Sequence, residues 1–187
     1  LTLSASPAPG GGGVSALVGS LAASLSGMVA SLSLNNKSCE AFREDMQELQ
    51  RKADKIRLEL LGAVQKDADS FTGYIAALKL PKNTEKEITE RSEALQNELK
   101  KATLSPMETA EMIFEVFPLA ETAIAKGSAS AKTDALLSAV LARSAVLGSI
   151  MNVKINLLSI KDPDFVSTYR NKAVMLENSS VEYEKKL

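Results

Sequence analysis

Acid–base chemistry has few places to go in this chain. Its 187 residues include no histidine and a single cysteine, Cys39. Ser-His-Asp and Cys-His catalysis are therefore excluded. A zinc site would have to be assembled from carboxylates and one thiol, so no metal site is expected. Proton transfer falls to Asp, Glu, Lys, Tyr or water. With no base beside it, Cys39 reads as an inert thiol. Two acids stand out by position, Asp67 and Asp134, together with two asparagines, Asn152 and Asn156. Buried carboxylates have raised pKa values, which suits proton transfer near neutrality.

A glycine run is the second candidate. Pro9-Gly10-Gly11-Gly12-Gly13 precedes a charge-free stretch that reaches Leu34. Glycines let backbone approach a ligand closely. A glycine turn opening a helix presents unpaired N–H groups at the positive end of the dipole, a place for a carboxylate, a phosphate or a polar ring edge. The Lys-Ser/Thr of a nucleotide-binding loop does not follow, so this is not a Walker motif. The plainer reading is a loop followed by a buried helix.

Six helical segments must position these residues, and no strand pattern competes with them. In the first, about Gly13 to Leu34, Ser15, Gly19, Ala23, Gly27 and Ser31 place a small side chain at every fourth position, a ridge that admits a close neighbour. The second, about Lys37 to Leu78, carries a heptad seam through Phe42, Met46, Leu49, Ala53, Ile56, Leu60 and Ala63. Beyond Leu60 the stripe resumes one residue out of phase as Val64, Ala68, Phe71, Ile75 and Leu78, a stutter. Asp67 points into the stripe at that shift, which is costly unless it is paired or useful. Thr84 and Glu87 form a capping box for a third helix to about Ala102. Ser105-Pro106 reads as the start of a fourth, kinked at Phe117-Pro118. The fifth, about Lys132 to Ile160, is apolar nearly all round, with a seam of Leu137, Leu141, Ser144, Gly148, Met151, Ile155 and Leu158. Such a helix belongs in a core or a subunit interface. Asp134, Asn152 and Asn156 share one polar edge of it. Asp162-Pro163 caps a sixth helix to about Lys186. The whole is an all-α single domain, a bundle of about six helices including long antiparallel ones, with no sheet.

Each candidate also has a purely structural reading. Asp67 at a stutter can turn to water or pair with a lysine, Asp134 can be a helix cap, and the asparagines can bridge helices. Lys37, Lys79 and Lys82 can simply be solvated. The net charge of −1 gives no basic field for nucleic acid. Val14–Leu34 is long enough to span a bilayer, but its serines make it weakly hydrophobic and no basic leader precedes it, so neither membrane insertion nor a signal peptide is expected. The lone cysteine fits a reducing, cytoplasmic location.

Several motifs then fall into one order along the chain. Ser6-Pro7-Ala8-Pro9-Gly10-Gly11-Gly12 with the small-residue helix after it, Asp67-Ala68-Asp69-Ser70-Phe71 with Leu78-Lys79-Leu80-Pro81, and Thr133-Asp134 with Gly148-Ser149-Ile150-Met151-Asn152-Val153-Lys154-Ile155-Asn156-Leu157 together resemble the formimidoyltetrahydrofolate cyclodeaminase / methenyltetrahydrofolate cyclohydrolase family. The resemblance implies a helical homodimer, a tetrahydrofolate derivative as substrate with no further cofactor, and a possible formiminotransferase partner. It implies that Asp67 moves the proton, with Asp134 orienting substrate or sharing it. Pro9, Gly10, Gly11 and Gly12 would offer N–H groups to folate, Asn152 and Asn156 would hold the pterin or the one-carbon unit, and Lys37 or Lys79 would meet the glutamate tail. Gly13 departs from the pattern, standing where a Ser or Thr commonly caps the helix. The competing expectation is a non-catalytic bundle that serves as a dimerisation or binding module.

Overall fold

The computed structural model describes residues 10–187. Pro9 lies outside them. The described residues form six α-helices: α1 (Gly11–Leu34), α2 (Arg43–Leu78), α3 (Glu85–Phe114), α4 (Val116–Lys126), α5 (Lys132–Leu157) and α6 (Pro163–Lys186), with 3-10 turns at Lys37–Phe42 and Ala129–Ala131. No strand occurs among them.

α1 runs through the middle. Ser15, Gly19 and Ala23 of its small-residue ridge are buried, and a side chain at Gly19 would strike Ile113 and Leu60. α2 lies antiparallel to it: Gln50 meets Ser31 near one end, and Asp67 meets Gly13 at the other. α5 is antiparallel on the other flank, where Ser138 Oγ donates to the Ala22 carbonyl and pairs with Ser26. α3 crosses α2 in the opposite sense, tied by the Lys66–Glu108 ion pair. α6 closes over α5 through Lys154–Glu177 and Arg143–Glu184. The core joins Leu60, Met107, Ile113, Phe117, Val146, Ile150 and Val153.

Local signals explain most boundaries. Thr84 and Glu87 make the capping box that opens α3, and Asp162 accepts from the N–H groups of Asp164 and Phe165 ahead of Pro163. One expected boundary is absent. Ser105 caps nothing, and α3 continues through Pro106 to Phe114. The break comes at Glu115, where Pro118, four residues beyond Phe114, leaves that carbonyl without an N–H.

The seam expected for α5 also falls differently. Its buried face is alanine- and serine-rich (Ala135, Ser138, Ala139, Ala142, Ala145, Ser149). Leu137, Met151, Ile155 and Leu158 instead point outward, the last three 60–74% exposed. Small residues let neighbouring helices pack close to the α5 axis, and Val146, Ile150 and Val153 fill the core beside them. α1 and the stretch 129–157 are each long and apolar enough to cross a membrane, with 44% of each window buried within the bundle.

Candidate active site

Four helices converge at one end of the bundle around a cavity of about 410 Å³. The glycine turn and first turn of α1 supply Gly10, Gly11 and Gly12. α2 supplies Asp67, Ser70, Phe71 and Tyr74, α3 supplies Leu99, Ala102 and Pro106, and α5 with its C-terminal extension supplies Asn152, Ile155, Asn156 and Ser159. The volume suits a drug-sized organic ligand.

Asp67 dominates the electrostatics. α1 begins on four glycines, and its N-cap residue, Gly10, has no side chain to satisfy the first N–H groups. Asp67 takes over that task from another helix: Gly13 N–H donates to Asp67 Oδ2 at 2.8 Å. Gly13 is thus the third residue of α1 and not its cap, and its N–H is satisfied by a carboxylate 54 residues away. Close approach requires the glycine beside it, because a Cβ on Gly12 would stand 2.6 Å from the Asp67 carboxyl carbon and 2.8 Å from Oδ2. Burial pushes the Asp67 pKa above the ordinary carboxylate range, and the Gly13 hydrogen bond offsets only part of that shift.

Asn152 packs over Gly11, where an added Cβ would lie 3.3 Å from its Nδ2. That Nδ2 donates to the Gly148 carbonyl at 2.9 Å. Asn156, one turn on, donates from Nδ2 to the Ala102 carbonyl of α3 at 2.7 Å. Both are half-buried.

The structure therefore brings together Gly10, Gly11, Gly12, Asp67, Asn152 and Asn156. It does not bring Asp134, Lys37 or Lys79 to them. Asp134 sits in the first turn of α5, 18 residues from Asn152 and so roughly 27 Å along the helix. Lys37 follows the far end of α1, and Lys79 ends α2, 12 residues (about 18 Å) past Asp67. Neither lysine lines the cavity. Sequence reasoning did not assign Phe71, Tyr74 and Pro106 to the site. The stutter after Leu60 was the available signal for the first two. It turns the α2 stripe out of the core, so Phe71 is 38% exposed and faces the cavity instead of packing.

An all-helical bundle with one desolvated acid held at a glycine helix start, beside two asparagines, defines a class of small-molecule site. Residues 2–174 match the sequence profile of the formiminotransferase-cyclodeaminase family, and the chain belongs to that family. Among the relatives it resembles, it is 32% identical over 162 residues to the methenyltetrahydrofolate cyclohydrolase of Methylorubrum extorquens, covering 87% of this chain and 78% of that one. It is 32% identical over 167 residues to the formimidoyltransferase-cyclodeaminase of Rattus norvegicus, covering 89% of this chain but 31% of that longer protein. The crystal structure of formiminotetrahydrofolate cyclodeaminase from Thermotoga maritima superposes with a TM-score of 0.86 at 27% identity, covering 98% of this chain and 88% of that one.

Proposed function

We propose that this protein is a one-carbon folate enzyme. It converts formimidoyltetrahydrofolate to methenyltetrahydrofolate with release of ammonia, or hydrolyses methenyltetrahydrofolate to formyltetrahydrofolate. The observation that carries the assignment is Asp67, an acid with raised pKa fixed beside a glycine helix start in a cavity of ligand size. The names of the relatives supply the substrate.

In the ammonia-releasing direction, the free bridging nitrogen of the folate attacks the carbon of the formimidoyl group, whose imino nitrogen is protonated. A C–N bond forms and the carbon becomes tetrahedral. Asp67 takes the proton from the attacking nitrogen and hands one to the amine. The C–N bond to that amine then breaks, ammonia leaves, and the methenyl cation remains. A carboxyl whose pKa is raised by burial, held at the cavity, serves both halves of this transfer. In the hydrolytic direction the same carboxylate takes a proton from the water that attacks the methenyl carbon, and returns it to one bridging nitrogen as the C–N bond to that nitrogen breaks, leaving the formyl group on the other. Both routes pass through a tetrahedral carbon between the same two nitrogens, so one site can serve either. Within a protomer Asp67 is the acid at the cavity. Asp134, remote along α5, is assigned no proton here.

The exposed apolar face supports the homodimer. α1 carries no charged residue from Gly11 to Leu34 and leaves Val14, Leu17, Leu21, Met28 and Leu32 uncovered, beside Leu137, Val140, Met151 and Ile155 of the neighbouring α5. A patch of this kind marks an association surface. Ile155 belongs to both the face and the cavity lining, so a second copy seated there would adjoin the mouth of the site.

Purified protein supplied side by side with formimidoyl- and methenyltetrahydrofolate should form methenylfolate from the first or consume the second, followed by ultraviolet absorbance. Turnover of neither, with no thermal-shift response to reduced folates, would leave the non-catalytic bundle as the better reading.

A further inference from the structure

Pro106 stands inside an unbroken helix, the least favourable place for a proline. Having no N–H, it cannot donate to the carbonyl four residues back, that of Ala102. A carbonyl stripped of its helical partner at a cavity wall needs another donor. Asn156 of α5 provides it, its Nδ2 lying 2.7 Å from the Ala102 oxygen.

This contact fixes which way the amide faces. Turning the Asn156 side chain over would set two carbonyl oxygens against each other at hydrogen-bond distance, so Nδ2 stays on Ala102 and Oδ1 is left for other partners. Asn152 is oriented in the same sense by the Gly148 carbonyl. Neither Oδ1 accepts a hydrogen bond from a described residue, and neither is among the buried unpartnered atoms. Both asparagines line the same cavity, one helical turn apart. One amide N–H of each is engaged by backbone, which fixes the side chain and leaves a pair of carbonyl acceptors without a protein partner.

We propose that Pro106 is a positioning residue: by leaving the Ala102 carbonyl free it holds the Asn156 amide so that its Oδ1, with that of Asn152, is set as a hydrogen-bond acceptor for an N–H edge of the ligand. Resting on the folate assignment above, the edge in question is that of the reduced pterin, whose 2-amino group and adjacent ring N–H are donors. A carbonyl-bearing edge presented to the same two oxygens would be repelled. Selectivity of this kind is strong because a buried acceptor left unpaired is penalised in full.

The test compares a reduced folate with the analogue whose 2-amino group is replaced by methyl, in wild type, Pro106→Ala, Asn156→Leu and the double variant. Alanine at position 106 restores the N–H to Ala102 and favours the helix, so this variant should fold at least as well as wild type. Wild type should bind the methyl analogue at least about tenfold more weakly than the parent folate. Pro106→Ala should raise KM for the parent about tenfold, move kcat little, and erase most of the discrimination. Asn156→Leu should do the same, and the double variant should be no worse than Asn156→Leu alone, because both changes remove one interaction. Full discrimination in Pro106→Ala, or effects that simply add in the double variant, would overturn the positioning role while leaving the folate reading intact. Absence of any reduced-folate binding by wild type would overturn the folate reading itself, and with it the ligand named here.

Discussion

Gly12→Ala is a one-atom perturbation aimed at Asp67, the acid proposed to move the proton. The added Cβ would stand 2.6 Å from the Asp67 carboxyl carbon and 2.8 Å from Oδ2, where relaxed contact needs about 3.5–4 Å. Either the carboxylate or the start of α1 must therefore move by about 1 Å. A displacement of that size at a reacting group costs on the order of 100-fold in rate. Stability should change far less. Losing the Gly13–Asp67 hydrogen bond forfeits a helix cap worth about 1 kcal/mol, while replacing glycine by alanine in a helix returns up to about 1 kcal/mol. The two nearly cancel, leaving Tm within about 4 °C of wild type. Gly62→Ala is the control, since a Cβ there meets nothing within 4 Å on an exposed part of α2. It should raise Tm slightly and leave turnover unchanged. The assay is methenylfolate absorbance alongside a thermal melt for both variants. Full turnover in Gly12→Ala would refute the claim that Asp67 works from its place against the glycine turn. A collapse of folding in step with activity would refute the separation of the two effects.

Other consequences are equally direct. Asp67→Asn should melt increasingly above wild type as pH rises through the carboxylate range. The raised native pKa means that ionising Asp67 removes stability as pH climbs through it, whereas asparagine has no charge to bury; a constant Tm difference across pH would contradict this. Leu21→Glu, at a position 52% exposed in the middle of the α1 face, should convert the proposed homodimer to monomer in sedimentation velocity, and an unchanged sedimentation coefficient would discount that face. Thr84→Ala removes the capping box at the start of α3, far from the cavity, and should cost about 1 kcal/mol in denaturant unfolding with no change in KM.

Much of the architecture was legible because local chemistry decided it. The capping box at Thr84, the Asp162-Pro163 start and the kink signalled by Pro118 need only neighbouring residues. Ser105-Pro106 misled because its resolution is tertiary: a proline is tolerated inside α3 when Asn156, from a helix distant in sequence, takes the freed carbonyl. Asp67 stood out as a carboxylate in a seam at a stutter, but that it caps α1 could not be read from spacing within α2. The edge shared by Asp134, Asn152 and Asn156 was a true helical face. Angle without axial distance, however, could not tell that Asp134 lies at the other end of α5. Sequence alone leaves the α5 seam between a core and a subunit interface, because periodicity reveals an apolar stripe but not its partner; in this protomer Leu137, Met151, Ile155 and Leu158 face out, while Val146, Ile150 and Val153 join the alanines in the core.

Turnover by Asp67→Asn tests the central claim most directly. The amide keeps the size of the side chain and can still accept from the Gly13 N–H, but it cannot carry a proton between the attacking nitrogen and the leaving amine. The variant should fold, bind reduced folate within a few-fold of wild type, and lose at least about 100-fold in kcat, while the wild-type rate rises with pH through an inflection above the ordinary carboxylate range. A folded Asp67→Asn variant with wild-type kcat would contradict it.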